Sequence, residues 1–197
     1  MPVTEFPLTL LCHPATPTPV VRSVEARAER TTSGDLTLAY RLRGDMVRLR
    51  IPPPATPGRA NGLWEHSCFE AFIGIAGEPA YLEFNFSPSG EWASYAFKAY
   101  RQPAAEPASL PAPQLTARLS AGRLELEVLV AAAALPAEAA TATLQVGLAA
   151  VVEAADVVDG SHSYWALHHP AGRPDFHHRD GFRLVLAPAA DSASRNS

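Results

Sequence analysis

The chain has 197 residues, 47% hydrophobic and 18% charged, the composition of a globular domain rather than a disordered segment. Its formal net charge of -4 leaves no cationic surplus to release counterions from phosphates, so no nucleic-acid partner is expected. No run approaches the ~20 apolar residues that cross a bilayer, so no membrane segment is expected either.

Met1 to Phe6 lacks a basic segment, and the apolar run from Phe6 to Leu11 is broken by Pro7 and Thr9, too short for a secretory signal. With Cys12 and Cys68 as the two cysteines, the expectation is reduced thiols and a cytoplasmic location. From Val24 to Arg30, apolar Val24, Ala26 and Ala28 alternate with Glu25, Arg27 and Glu29, the period of a half-buried strand. After a turn at Thr31 to Asp35 the alternation resumes through Leu36, Leu38, Tyr40 and Leu42. Beyond Gly44-Asp45, Val47, Leu49 and Ile51 predict a third strand of a meander, and the prolines from Pro52 to Pro57 predict a loop.

Cys68 to Ile75 is apolar on both faces apart from Glu70, which predicts a central strand covered on both sides. A four-residue loop at Ala76 to Pro79 sets Glu70 opposite Asn85 and Phe69 opposite Phe86. A two-residue turn at Ser89-Gly90 would then set Ser87 opposite Trp92, Asn85 opposite Ser94 and Phe84 opposite Tyr95. That register predicts a core face of Phe69, Ala71, Ile73, Leu82, Phe84, Phe86, Ala93, Tyr95 and Phe97. The opposite face carries Glu70, Glu83, Asn85, Ser87, Trp92, Ser94 and Lys98.

Gln102 to Gln114 reads as a proline-rich loop, and Leu115 to Leu119 with Leu124 to Val130 as a hairpin. Ala131 to Ala142 holds at most one short helix. Thr143 to Glu153, Ser163 to Leu167 and Phe182 to Leu186 are the closing strands, with Trp165 in the core. The expectation is a single domain over 1–188 with an unstructured tail over 189–197. Its fold class is all-β, a two-sheet antiparallel sandwich.

The polar face has the chemistry of a sugar site. Carboxylates, an amide and hydroxyls can fix ring hydroxyls while the Trp92 indole stacks on a pyranose face. Trp64 and His66 stand at the entrance to the Glu70 strand as rim candidates. The candidate ligand-binding set is therefore Trp64, His66, Glu70, Glu83, Asn85, Ser87, Trp92 and Ser94, for a saccharide or similar small polar ligand. As a bland alternative, Glu83 would pair diagonally with Lys98 on a solvated face. As a catalytic alternative, Glu70 and Glu83 would act as a glycosidase carboxylate pair.

Leu63-Trp64-Glu65-His66-Ser67-Cys68-Phe69-Glu70-Ala71-Phe72 resembles the strand of family-nine carbohydrate-binding modules and their DOMON relatives, in which a Trp precedes an acidic E-x-F strand. Tyr81 to Trp92 resembles the next hairpin of that superfamily, and Ser163 to Leu167 and Pro174 to His177 resemble stretches of bacterial DOMON-like proteins. The resemblance implies an immunoglobulin-like or jelly-roll sandwich with a site for sugar or haem. Haem-binding DOMON domains use an axial Met with a His, and here Met46 lies beside a tight turn. No metal-site spacing is present, and no cofactor is expected. The nearest candidates for a metal are His168, Asp175 and His177, since only one of two adjacent histidines can face a common ion.

Overall fold

The computed structural model describes residues 5–105, 110–155, 161–170 and 172–189. Among the described residues are thirteen strands: β1 Leu8–Cys12, β2 Val21–Arg30, β3 Leu36–Gly44, β4 Gly58–Arg59, β5 Cys68–Ile75, β6 Tyr81–Phe86, β7 Glu91–Ala99, β8 Gln102–Pro103, β9 Gln114–Ser120, β10 Arg123–Val130, β11 Leu144–Ala154, β12 Ser161–Ala166 and β13 Leu184–Leu186. The expected tail, apart from Ala189, lies outside the described residues. Helical structure among the described residues is confined to short 3-10 turns, two of them in the alanine-rich stretch at Ala132–Ala134 and Ala137–Ala140. No helix among the described residues is long and apolar enough to cross a membrane.

Hydrogen bonding runs in the order β4-β7-β6-β5-β11-β12-β1-β2-β3-β10-β9. The path is mixed, because β4 runs parallel to β7 while the long strands pair antiparallel. Two separate sheets were the expectation. Instead β1 pairs with β12 through Leu11 and Cys12 and with β2 through Leu8 to Leu10, which joins the halves into one curled sheet. The sequence reading places no strand at Leu8–Cys12, because an apolar run this short carries little periodicity. Residues from both halves share one apolar core. At its centre Tyr40 of β3 packs on Phe69 of β5 with ring centroids 4.9 Å apart, and its hydroxyl donates to the Glu70 carbonyl at 2.9 Å.

The predicted strand from Val47 to Ile51 is replaced by a 3-10 turn at Met46–Arg48, with Leu49 alone bridging Ala154. The Asp45 carboxylate accepts from the Val47 N–H at 3.3 Å, a local bond that closes the turn in competition with a ladder.

The β5–β6 register is as expected, with Glu70 opposite Asn85 and Phe69 opposite Phe86. The β6–β7 register is one residue away from the expectation. Ser87 N–H donates to Glu91 O at 2.9 Å and Gly90 N–H to Ser87 O at 3.1 Å, so three residues, not two, make the turn. Gly90 closes it at φ 96°, a conformation that glycine adopts without steric cost. Phe86 therefore faces Trp92, Asn85 faces Ala93, Glu83 faces Tyr95 and Tyr81 faces Phe97. A one-residue slip sends every side chain of a strand to the other face. Trp92 accordingly lies in the core, and Ser94 is buried on the same side with no hydrogen-bond partner for its hydroxyl. Tyr95 and Phe97 point the opposite way.

Trp92→Ala is expected to destabilise the protein by about 3–5 kcal/mol in urea denaturation, the cost of an unfilled aromatic site. A loss below about 1 kcal/mol would contradict this register, since exposed substitutions cost no more than that.

Candidate functional site

β5 lies between β6 and β11, and the face turned away from the core is a second, smaller environment. It carries Glu70 and Phe72 of β5, Tyr81, Glu83 and Asn85 of β6, Tyr95 and Phe97 of β7, and Tyr164 of β12. Two segments rise over it. The 3-10 turn Leu63–Glu65 brings Trp64 to the rim, 44% exposed and in edge contact with Tyr95 at 5.8 Å. From the other side the loop before β13 brings Phe176 and His177. Between them opens a cleft of about 470 Å³, within the range of small-ligand sites, with Glu70 and Glu83 among its lining groups.

The two carboxyl groups are held in unusual states. Glu70 is 3% exposed, and burial together with the nearby Glu83 charge pushes it from an ordinary 4.5 up to about 8. The Cys68 thiol donates to the Glu70 carboxyl, 3.6 Å from Oε1. Glu83 is raised to about 6 by burial, which outweighs the bond from Asn85 Nδ2 at 3.0 Å and the charge of Arg101. Asn85 Oδ1 is buried with no hydrogen-bond partner.

A hydrogen-bonded chain forms the adjoining wall. Arg101 N–H donates to the Tyr81 hydroxyl at 3.2 Å, and Tyr81 lies 2.9 Å from His177 Nδ1. The other ring nitrogen of His177, Nε2, lies 3.6 Å from Glu83 Oε2. Burial, with the Arg101 charge, lowers His177 from 6.5 to about 4, so the ring is neutral at neutral pH. Asp175 accepts from Tyr100 at 2.5 Å and from Arg101 at 2.9 Å. Burial opposes these bonds, yet they hold its carboxyl below the ordinary value.

Of the residues singled out in the sequence, Trp64, Glu70 and Glu83 meet at this cleft, and Asn85 hydrogen-bonds Glu83 beside it. Four others do not join them. Trp92 and Ser94 turn into the core through the register shift. The Ser87 hydroxyl is engaged in the turn with Ser89 at 2.8 Å. His66 Nδ1 lies 2.9 Å from Glu153 Oε2, and that buried carboxylate also pairs with Arg50 at 3.3 Å. The same shift carries Lys98 to the side opposite Glu83, so their expected diagonal pair does not form.

The metal candidates are likewise engaged elsewhere. Asp175 is bound by Tyr100 and Arg101, and His177 by Tyr81. Among the described residues no group of three or more His, Cys, Asp or Glu side chains is arranged to hold an ion, and His168 joins no such group. Met46, the methionine among the described residues, is buried in the core. Cys12 and Cys68 are free thiols. The sequence reading missed Tyr95, Phe97, Arg101 and Tyr164. A correct turn length at Gly90 would have recovered the first two.

No protein-family model matches the chain, and no curated protein matches it. Solved structures do. A Bacteroides uniformis protein provisionally classed as carbohydrate-binding shares 18% identity at a TM-score of 0.60, over 92% of this chain and 85% of that one. A family-nine carbohydrate-binding module from Caldicellulosiruptor kristjanssonii, in complex with glucose, aligns at a TM-score of 0.58 and 8% identity over 100% of this chain and 96% of the module. The same kind of module in complex with cellotriose aligns at 0.58 and 10% over 98% and 93%. At such identities the likeness establishes the fold: an all-β chain whose curled sheet resembles those modules.

The raised Glu70 value has a signed consequence for stability. Between 4.5 and about 8 the folded protein keeps a proton that the unfolded chain has lost, so stability falls as pH rises through that window. Glu83 acts in the same sense only up to about 6. His177 acts in the opposite sense, between about 4 and 6.5. Above 6.5 the decline among these cleft groups therefore belongs to Glu70. Urea denaturation should show a loss of about 1–2 kcal/mol between pH 6.5 and 8, and Glu70→Gln should flatten it. An equal slope in both proteins would show that Glu70 is not buried as described.

Proposed function

We propose that this chain is a non-catalytic carbohydrate-binding module of the DOMON-like β-sandwich type, and that it takes a saccharide in the cleft between Trp64 and His177. The observation that carries the reading is the set of buried polar groups, Glu70, Glu83 and Asn85, beneath walls of Trp64, Tyr95, Tyr164 and Phe176. A pyranose has apolar faces and a polar rim, so it is matched by aromatic surfaces at the sides and by hydrogen-bonding groups at one end. The fold likeness to a module in complex with glucose and cellotriose supports the same reading. Asn85, fully buried behind Glu83, supports the site indirectly by holding the Glu83 carboxyl through its Nδ2 at 3.0 Å.

Calorimetric titration with glucose and cellotriose tests the proposal. Trp64 is 44% exposed and outside the core, so Trp64→Ala should leave the unfolding midpoint unchanged. Saccharide affinity of that variant should drop about tenfold or more through lost stacking. Undiminished binding by a folded Trp64→Ala would remove the cleft from consideration. Release of reducing ends from cellotriose on prolonged incubation would replace the binding reading with a catalytic one, in which Glu70 and Glu83 serve as acid and base.

A further inference from the structure

The floor of the cleft is short of positive charge. Glu70 and Glu83 are both buried, 3% and 7% exposed, and no lysine or arginine among the described residues forms an ion pair with either. Arg101, the guanidinium on the cleft wall, is bound to Asp175 at 2.9 Å. The His177 imidazole faces Glu83 at 3.6 Å, but burial with the nearby Arg101 charge keeps the ring neutral, so it brings no positive charge. Around these acids stand the rings of Trp64, Tyr95 and Tyr164, whose π-faces attract cations. We infer that the saccharide this cleft prefers is an amino sugar, with its ammonium group seated between Glu70, Glu83 and the aromatic walls.

The inference rests on the saccharide reading above and narrows it. A sugar bearing only hydroxyls supplies hydrogen bonds but no counter-charge for Glu83, the more readily ionised of the two acids, nor for Glu70 once it gives up its proton. An ammonium supplies both, and a bond between two charged partners is roughly twice as strong as a neutral one. A uronic acid would bring a third carboxylate toward two others. N-acetylation would remove the charge while keeping the ring. Burial is the main cause of the raised Glu70 and Glu83 values, and for Glu83 it outweighs the charge of Arg101, so an ammonium brought to this floor would favour the ionised form of both acids.

Calorimetry just below neutral pH on the full chain, with glucose, glucosamine, N-acetylglucosamine, glucuronate and methylamine, separates the possibilities. Glucosamine should bind about tenfold more tightly than glucose or N-acetylglucosamine, and glucuronate more weakly than any. In Glu70→Gln and Glu83→Gln, each checked for a cooperative unfolding transition, the ratio of glucosamine to glucose affinity should fall toward one. Glucose binding as tightly as glucosamine would overturn the amino-sugar inference and leave the saccharide reading standing. Binding of neither sugar would remove both. Methylamine binding as tightly as glucosamine would also overturn the inference, because the site would then recognise charge without the ring.

Discussion

Two missing side chains make room for the loop that roofs the cleft. The loop from Pro174 to Phe182 lies flat on β5 and β11 because both strands present glycine beneath it. A Cβ on Gly147 would stand 3.0 Å from Phe182 Cδ1, and one on Gly74 would overlap the Arg179 guanidinium. With that space open, Phe182 packs on Phe72 at 5.8 Å and on Tyr81 at 5.6 Å. Arg179 then ties the loop down, donating to the carbonyls of Ile75 and Glu78 at 3.2 Å and to Gln145 Oε1 at 3.1 Å. The seated loop carries His177 against Phe72 and Phe97, with centroids at 5.2 and 5.0 Å. Remove this roof and Glu70 and Glu83 become ordinary carboxylates on a wet sheet face. Their displaced protonation is thus a property of the loop's seat as much as of their own strands.

The strand under the roof is held from its other side. Tyr40 reaches across the core to the Glu70 carbonyl, so the backbone at this position is fixed while the carboxyl above it meets the Cys68 thiol. Burying an acid without a counter-charge is costly, and a packed apolar residue at Glu70 would stabilise the protein. Retaining a glutamate there makes sense where a ligand supplies the missing partner. Strongly shifted groups gathered in a cleft are what binding and catalytic sites share.

The parts of this arrangement that were legible in the sequence are those that local pattern determines. The β5–β6 pairing follows from the four-residue loop at Ala76 to Pro79, in which Gly77 takes φ 86°. β7 offers no such guide. Its residues Trp92 to Phe97 place aromatic or small side chains at both parities, so hydrophobicity cannot choose a face, and the turn alone decides. Ser89-Gly90 reads as a two-residue hairpin turn until the Ser87–Glu91 bond shows that Pro88 belongs to the loop as well. The His66–Glu153 and Tyr81–His177 contacts join residues 87 and 96 positions apart. Nothing in the neighbourhood of either residue announces such a partner. The strand at Leu8–Cys12 escaped for a related reason: its ladder partners are Ala26 to Val24 on one side and Ala166 with Trp165 on the other.

Walls and floor of the cleft are in opposite conditions, and this shapes how it can select a ligand. Arg101 has φ 52°, a left-handed conformation that costs a non-glycine residue about 1–2 kcal/mol. It persists because the surroundings over-determine it: its N–H is bound by Tyr81 and its guanidinium by Asp175, whose carboxylate is also held by Tyr100. The same Asp175 accepts the His177 N–H at 3.2 Å, so the wall is one connected body. A ligand entering it need not spend binding free energy on ordering that wall. The floor is unfinished by comparison, with a carboxyl pair short of positive charge and an amide oxygen short of a donor. Shape is therefore set before the ligand arrives, whereas charge and hydrogen bonding are completed by it. Discrimination among ligands of similar size should accordingly follow what they donate to Glu70 and Glu83 rather than how their rings fit between Trp64 and Phe176.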